Sequence, residues 1–300
     1  MAEIEVGIGA GSIAVDDAAG LAYVASGGEN SISVVDLESR RLRTTFPLEG
    51  SPMDVAVDPE AGLLYVPTWS PDALEVLDAT SGRVLATVAV GQDPFRVALD
   101  PARDRAYVAS VGSHVVFAVD TRVYRSERFL EEGEPVHVAV DPATGGLFVG
   151  HAVTSTVDAV DPDGNVTGTW KLRGGMSALL FEEASGELLA ASGEANKVWV
   201  IDTERGVEEA GIRVGPYPID LAADPSRGLV YVAIQASGPE AGSDPSRSGY
   251  WVIDLSKHRV LYRVLVGGGP ASIGVSSDTR QVLVGTSEDG TVNVFSAVAP

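Results

Sequence analysis

The sequence repeats itself about every 42 residues, and this repetition constrains the fold more than any other feature. Similar segments read MDVAVDPEAGLLYV at 53–66, FRVALDPARDRAYV at 95–108 and VHVAVDPATGGLFV at 136–149. Successive units are 42, 42, 41, 41, 42 and 52 residues apart when they are aligned on the residue that ends the first apolar run. Self-similarity at a fixed period indicates a repeat architecture. The seven aligned residues are Asp16, Asp58, Asp100, Asp141, Glu182, Asp224 and Ser276.

Each unit predicts four short β-strands, which we call a, b, c and d in chain order. A segment rich in Gly or Pro leads into the apolar strand a, and a turn such as DPEAG or DPATG follows, with Asp, Pro and Gly at the positions that favour a turn. Strand b, a polar loop, strand c and a more polar strand d complete the unit, and no helical pattern persists. Four strands in about 40 residues are typical of a β-propeller blade.

The two ends of the chain predict how the ring closes. The seventh unit stops after its third strand, TVNVFS at 291–296, and lacks a fourth. Residues 2–6, AEIEV, can supply that strand and so remove an open sheet edge. The sequence therefore predicts an all-β, seven-bladed β-propeller with four antiparallel strands in each blade. Residues 1–300 are expected to form a single domain, with blade 7 completed by residues 2–6.

The segments GSPMDVAVDPEAGLLYV and VWVID resemble the YVTN repeat of YncE-like seven-bladed propellers, and the resemblance extends over essentially the whole chain. It implies a protein from a family that includes binding proteins, with relatives among lactonase-type and lyase-type propellers. The matching residues are turn and core residues. The resemblance therefore implies the fold, and it transfers no catalytic residue to this sequence.

The amino-acid composition limits the kinds of partner that the protein is expected to bind. The formal net charge is −21, with 21 Lys and Arg against 42 Asp and Glu, and the basic residues are scattered along the chain. This balance makes nucleic acid an unfavourable partner, because affinity for nucleic acid comes largely from basic side chains that neutralise phosphates. There is no apolar run of membrane-spanning length and no secretory signal, so we expect a cytoplasmic monomer without membrane association. A secreted protein with a trimmed signal would look the same. The absence of cysteine excludes disulfides.

Function on a repeated scaffold is expected where the repeats differ, because shared residues are explained by folding. In a propeller, the start of strand a and the end of strand b open on one face, around the central channel. At the start of strand a, six of the seven residues are polar or charged: Ser12, Asp54, Arg96, His137, Ala178, Asp220 and Ser272. At the end of strand b, hydroxyl residues dominate, and two blades depart from them: Ser26, Thr68, Ser110, His151, Ser192, Ile234 and Thr286.

Blade 4 places a histidine in both sets. His137 and His151 are each seven residues from Thr144 in the a–b turn, so the count predicts that they face each other, with Cβ atoms about 5 Å apart. Such a pair, near Arg96, can ligate a metal or provide a general acid and base. Asp54 and Asp220 can supply carboxylates. In the alternative interpretation, the histidines only cap the hairpin, Arg96 neutralises Asp54, and both aspartates bond to loop N–H groups.

Three further residues are candidates for ligand contact. Trp69 lies in a polar loop and can stack on a planar or sugar-like ligand, or else cover a neighbouring blade. Gln235 lies beside the end of strand b in blade 6, where other blades mostly have small residues. His114 lies in a b–c loop where other blades have ordinary turn residues. Residues 237–248, an insertion of Gly, Ser, Pro and acidic residues, are expected to form a flap over the channel mouth.

Two functions remain in competition, with a purely structural interaction module as a third. The first is a propeller that binds a small molecule or a peptide at the mouth of the channel. The alternative is a propeller enzyme of the lactonase, lyase or cyclase type, with His137 or His151 as general acid or base and Arg96 as an anion stabiliser. Neither reading requires an organic cofactor. A divalent metal is possible, although two histidines without a third ligand are a weak metal signature.

Overall fold

The computed structural model describes residues 1–131, 133–236 and 247–297, with the side chain of Glu209 excepted, and these residues form seven antiparallel sheets arranged as a ring. The first strand of one sheet is split into two pieces. The insertion expected as a flap falls mainly on residues 237–246, which lie outside the described residues.

The strands follow one another in chain order. Strand β1 spans Ala2–Glu5 and belongs to the last blade. Blade 1 contains β2 (Ala10–Asp16), β3 (Leu21–Ser26), β4 (Ser31–Asp36) and β5 (Arg41–Pro47). Blade 2 contains β6 (Ser51–Pro52), β7 (Ala56–Asp58), β8 (Leu63–Trp69), β9 (Ala73–Asp78) and β10 (Val84–Ala89). Blade 3 contains β11 (Pro94–Asp100), β12 (Arg105–Ser110), β13 (Val115–Asp120) and β14 (Arg125–Leu130).

The second half repeats the same plan. Blade 4 contains β15 (Pro135–Asp141), β16 (Gly146–His151), β17 (Thr156–Val160) and β18 (Val166–Lys171). Blade 5 contains β19 (Met176–Glu182), β20 (Glu187–Ser192), β21 (Lys197–Asp202) and β22 (Val207–Arg213). Blade 6 contains β23 (Pro218–Asp224), β24 (Leu229–Ile234), β25 (Gly249–Asp254) and β26 (Arg259–Leu265). Blade 7 contains β27 (Pro270–Ser276), β28 (Gln281–Thr286) and β29 (Thr291–Ser296). Short 3₁₀ turns occur at Gly27–Glu29, Pro101–Arg103, Pro225–Arg227 and Leu255–Lys257.

The first strand of each blade lies innermost, and these inner strands contact one another around a complete circle that returns from β27 to β2. The N-terminal strand β1 pairs antiparallel with β29, from Ala2 opposite Val294 to Glu5 opposite Thr291. Ile4 and Val6 are buried at this junction. The predicted seven-bladed propeller, with its last blade completed by the N-terminal strand, is therefore confirmed.

The core lies between neighbouring blades, and burial is greater in the second strand of a blade than in the innermost strand and is least in the outermost strand. Second strands such as β3 and β24 are buried along their whole length, whereas the outermost strand β5 is exposed at all positions except Phe46. Apolar residues of adjacent blades pack face to face; for example, Val232 of blade 6 lies in one cluster with Leu189 of blade 5. A strand that is covered on both faces needs an almost continuous apolar run, which explains the LVYV and LAYV motifs.

A β-bulge near the start of the inner strand recurs around the ring. In blade 1, Ala10 pairs with Ser26 and Ser12 pairs with Ala25, so one extra residue lies on the inner strand. Blades 3 to 7 show the same shift at the equivalent position, and in blade 2 the inner strand is interrupted there between β6 and β7. A bulge turns the strand and redirects the side chain beside it. This repeated irregularity determines what lines the channel.

Candidate functional site

The inner strands enclose a small polar cavity with a volume of about 180 Å³. Its walls come from the residue just after the bulge and from the residue that follows it. Of the seven residues that the sequence places at the start of strand a, six line this cavity; Ile273 lines it in place of its neighbour Ser272. The six are Ser12, Asp54, Arg96, His137, Ala178 and Asp220.

Asp54 joins three neighbouring blades at this cavity. Its Oδ1 accepts a hydrogen bond from the Ser12 hydroxyl at 2.5 Å and lies 3.4 Å from a guanidinium nitrogen of Arg96, and its Oδ2 accepts the Val97 N–H at 3.0 Å. Both side chains of the Asp54–Arg96 ion pair are largely buried, with 12% and 19% of their surface exposed. The alternative interpretation of these two residues, in which Arg96 neutralises Asp54, matches this geometry. Their contacts also join blades 1, 2 and 3 to one another.

Asp220 occupies the equivalent position in blade 6. Its Oδ1 accepts the N–H of Leu221 at 3.0 Å, and its Oδ2 accepts the N–H of Ile273 in blade 7 at 2.9 Å. Burial raises the pKa of the Asp220 carboxyl to about 6, and the charge of Asp54 adds to this, although Arg96 and the two N–H donors favour the ionised form. Asp220 is therefore mostly ionised at neutral pH and takes up a proton in mildly acidic solution.

His137 is a buried, neutral imidazole on the wall of the same cavity. Burial, and then the positive charge of Arg96, lower the pKa of His137 to about 3. Its ring meets the Phe95 ring edge-on at a centroid distance of 6.4 Å, and the Arg96 guanidinium lies 4.9 Å from the same Phe95 ring. An imidazole with this pKa is a weak base at neutral pH, and it offers a ligand one hydrogen-bond donor and one acceptor.

The expectation that His137 and His151 face each other is wrong. His137 pairs with Gly150, and His151 pairs with Pro135, because the bulge adds one residue to the inner strand. Successive side chains point to opposite faces of a strand, so a shift of one residue places the two imidazoles on opposite faces of blade 4. The cavity lining includes His137 and Arg96 and does not include His151. The structure therefore does not assemble the three residues into one cluster.

His151 is buried elsewhere in blade 4 and has a partner of its own. Its Nε2 lies 3.0 Å from Oδ2 of Asp158, whose other oxygen accepts the Thr169 hydroxyl at 2.6 Å. The Nδ1 atom is buried without a hydrogen-bond partner among the described residues and lies against Gly133. Sequence reasoning missed Asp158, although an acidic residue in the middle of an otherwise apolar third strand was a visible signal.

The hydroxyl residues at the end of strand b have a structural role that explains their recurrence. The side chains of Ser26, Ser110 and Ser192 donate hydrogen bonds to main-chain carbonyls of the segment that leaves the preceding blade. The Thr68 hydroxyl donates within its own blade, to the carbonyl of Pro71 in the loop or to that of Ala73 at the start of β9. At the equivalent position, blade 4 has His151 and blade 6 has Ile234 instead of a hydroxyl residue.

The remaining candidates lie away from the cavity. Trp69 ends strand β8 with 38% of its surface exposed, and Gln235 follows strand β24 with a partly buried side chain. His114 is exposed in a tight loop, with the left-handed φ of 56° that turn residues adopt. None of the three lines the central cavity. Contact with a ligand at these positions stays a prediction.

No metal site is evident within the described ranges, where no group of three or more His, Cys, Asp and Glu side chains is arranged to hold a metal ion. The carboxylates of Asp54 and Asp220 are the cavity residues with the chemistry to ligate a hard cation. Among the same residues, no helix has the length and apolar character needed to cross a membrane.

The fold and the polar channel define this chain as a seven-bladed β-propeller. No protein-family model matches the sequence, and no curated protein matches it significantly. Solved structures with the same fold include hydrazine synthase from Kuenenia stuttgartiensis, at 17% identity and a TM-score of 0.84, covering 97% of this chain and 96% of that one. Another is a chain in a crystal structure of the mitotic checkpoint complex, at 13% identity and a TM-score of 0.80, covering 96% of this chain and 86% of that one. These likenesses show the shared fold.

Proposed function

We propose that this propeller binds a small polar ligand in its central channel. The observation that carries the proposal is the presence of four ionisable side chains, from four different blades, around one cavity: Asp54, Arg96, His137 and Asp220. The same position holds only Ser or Ala in the other three blades, so the fold does not need charge there. Buried ionisable groups are costly, which favours a role in recognition.

The chemistry of the wall defines the ligand. Arg96 uses a guanidinium nitrogen on Asp54 and has further N–H groups to offer to a carbonyl or anionic oxygen. Asp220 accepts hydrogen bonds and favours a donor or a cation. A volume of about 180 Å³ admits a small molecule, or the tip of a peptide side chain, and excludes a folded domain. We therefore expect a compact ligand that carries both a hydrogen-bond acceptor and a donor.

A panel of small amino acids, hydroxy acids, amines and lactones tests this function by thermal shift. We expect at least one compound to raise the melting temperature of the wild-type protein in a saturable manner. Arg96→Ala and Asp220→Ala should each lower the affinity for that compound by at least about tenfold, as expected when a charge-assisted hydrogen bond is lost. Arg125→Ala, which removes an exposed arginine outside the cavity, is the matched control and should leave the affinity unchanged. A panel without any binder, or equal binding by all variants, contradicts the proposal.

A propeller enzyme of the lactonase, lyase or cyclase type is the second candidate, and the pKa of about 6 at Asp220 is the observation that favours it. A general acid or base works best when its pKa lies near the working pH. In such an enzyme, Asp220 would transfer a proton to or from the substrate. Neutral His137 would lie beside the substrate, and Arg96 would lie next to the negative charge that develops on it. We expect turnover to lose its pH dependence near 6, together with most of its rate, in Asp220→Asn.

The repeats support a further proposal, that the chain is a YVTN-type, YncE-like propeller. Segments such as MDVAVDPEAGLLYV, which resemble that repeat, supply the inner hairpin of each blade. An alignment of homologous sequences tests it: the turn after the first strand of each unit, which is Asp-Pro in four of the seven units, and the apolar strand that follows should be shared with members of that family.

A further inference from the structure

Among the residues that the structure describes, a groove between the outer parts of blades 5 and 6 is lined by basic side chains and by no acidic one. Its volume is about 540 Å³, and its charged lining residues are Arg213, Arg247 and Arg263. Trp251 and Leu265 form part of an apolar wall. The groove shares no lining residue with the central cavity. The expectation of scattered basic residues is therefore wrong at this place, because the ring brings three arginines from two blades together.

No acidic side chain of the described residues neutralises the positive charge of this groove. In the described ranges, none of the three arginines forms an ion pair. Arg213 pairs across the strands with Lys197, which places two like charges opposite each other. Such an arrangement destabilises a sheet. The Arg263 guanidinium lies over the Trp251 ring, 5.9 Å from its centre, and this contact leaves the positive charge of the arginine in place. An anion in this groove would relieve the repulsion.

The propeller supplies an internal comparison, because the groove between blades 7 and 1 is built from equivalent positions. That groove has a volume of about 580 Å³, and its charged lining residues are acidic: Glu3, Glu5, Glu29 and Asp289. Strand register defines three equivalent pairs: Arg213 with Glu5, Arg247 with Glu29, and Arg263 with Thr45. The fold therefore accepts glutamate where blades 5 and 6 have arginine, and packing does not explain the basic lining.

We propose that the groove between blades 5 and 6 binds a small organic phosphate. The planar guanidinium group matches phosphate oxygens in a two-point contact. A phosphomonoester carries a charge of about −2 near neutral pH, and this suits three arginines that form no ion pair with any described residue better than the single charge of a carboxylate does. The apolar wall at Trp251 and Leu265 can accept the organic part of the molecule. A nucleic-acid strand fits less well, because the protein carries a net charge of −21 and the basic lining is confined to one groove.

Isothermal titration with sodium pyrophosphate at low ionic strength tests the proposal on the whole chain. We expect saturable binding that exceeds the binding of sulfate, and phenyl phosphate should bind more tightly than inorganic phosphate. Arg263→Ala should lower the affinity for pyrophosphate by about tenfold or more. The double variant Arg213→Glu/Arg247→Glu installs the residues of the acidic groove and should abolish binding.

Arg259→Ala is the matched control, because Arg259 is an exposed arginine at the other end of strand β26 from the groove. It should bind pyrophosphate as the wild type does. Equal binding of sulfate and pyrophosphate would show nonspecific counter-ion attraction and overturn the proposal, as would full binding by the double variant. Displacement of pyrophosphate by an oligothymidylate at equal phosphate concentration would identify nucleic acid instead and would also contradict it. Loss of ligand binding in the central channel would leave this result unaffected, since the two sites share no residue.

Discussion

The wall of the central cavity holds the buried His137 and the partly buried Asp220, and the pKa values of these two residues are displaced from their ordinary values in opposite senses. For His137 the folded-state pKa of about 3 lies below the ordinary 6.5, so below pH 6.5 the unfolded chain binds the proton first and stability falls. For Asp220 the folded-state pKa of about 6 lies above the ordinary 3.8, so stability is lost as pH rises from about 4 to 6. The two effects oppose each other within one pH range.

Single substitutions should therefore reveal a pH dependence that the wild-type protein hides. Between pH 7.5 and 4.5, His137 is expected to cost about 2–3 kcal/mol and Asp220 to contribute about 2 kcal/mol. On acidification over this range, Asp220→Asn should lose stability relative to the wild type, and His137→Gln should gain it. Urea denaturation at the two pH values measures both differences.

The double variant Asp220→Asn/His137→Gln is the control for this pair and should lose both contributions. If each single variant follows the wild-type pH dependence within about 0.5 kcal/mol, then the two groups are solvated, and this description of the cavity is wrong. Other acidic residues titrate in the same range, but they do so in all four proteins and cancel in the comparison.

At the scale of the strand, the bulge explains why one part of the site was predictable and another was not. The residue types at the start of strand a marked Asp54, Arg96, His137 and Asp220 correctly as residues that line the channel, because a charge that precedes an apolar strand in only some repeats needs a reason. The facing of His137 and His151 was deduced by counting from the turn. A bulge adds one residue to one strand, and the sequence contains no distinctive residue that announces it.

The strand pair β16–β17 carries a coupled pair, His151 and Asp158, where blade 1 has Ser26 and Ser33. His151→Ser should destabilise the protein, because it empties buried space and leaves Asp158 with the Thr169 hydroxyl alone. The double variant His151→Ser/Asp158→Ser reproduces the residues of blade 1. We expect the double variant to lose less unfolding free energy than the two single variants lose in sum, and the difference should be about 1 kcal/mol or more. Chemical denaturation of the four proteins measures this coupling, and an additive result would show that the contact contributes nothing.

Closure of the ring depends on strand β1, whose inward side chain Ile4 is 5% exposed. Ile4→Ala should lower the free energy of unfolding by about 2–4 kcal/mol, as expected for a truncation in a packed core. Glu3→Ala in the same strand changes an exposed residue and should alter stability by less than about 0.5 kcal/mol. Differential scanning calorimetry compares the two variants. Similar melting temperatures for both would mean that β1 does not hold blade 7 in solution.

At the scale of the whole molecule, the sequence predicts the ring well because every blade repeats the same local signals. The turn after the first strand, which is Asp-Pro in four of the seven units, the apolar second strand and the missing fourth strand of the last unit are each local, and together they specify the number of blades and the closure. The arginine groove could not be predicted in the same way, because Arg213, Arg247 and Arg263 are far apart in sequence and meet only where two blades adjoin. Symmetry then becomes informative, since equivalent positions show which residues the fold does not require.

The central claim is that the cavity lined by Arg96, His137 and Asp220 is the ligand site, and imidazole NMR tests it most directly. The protein has four histidines, so each ring can be assigned by substitution. We predict that a compound that stabilises the protein shifts the His137 signals in a saturable manner. The signals of exposed His114, of His151 beside Asp158 and of His258 beside Glu187 should move little. Saturable shifts confined to His114 or His258, with His137 unmoved, would contradict the account.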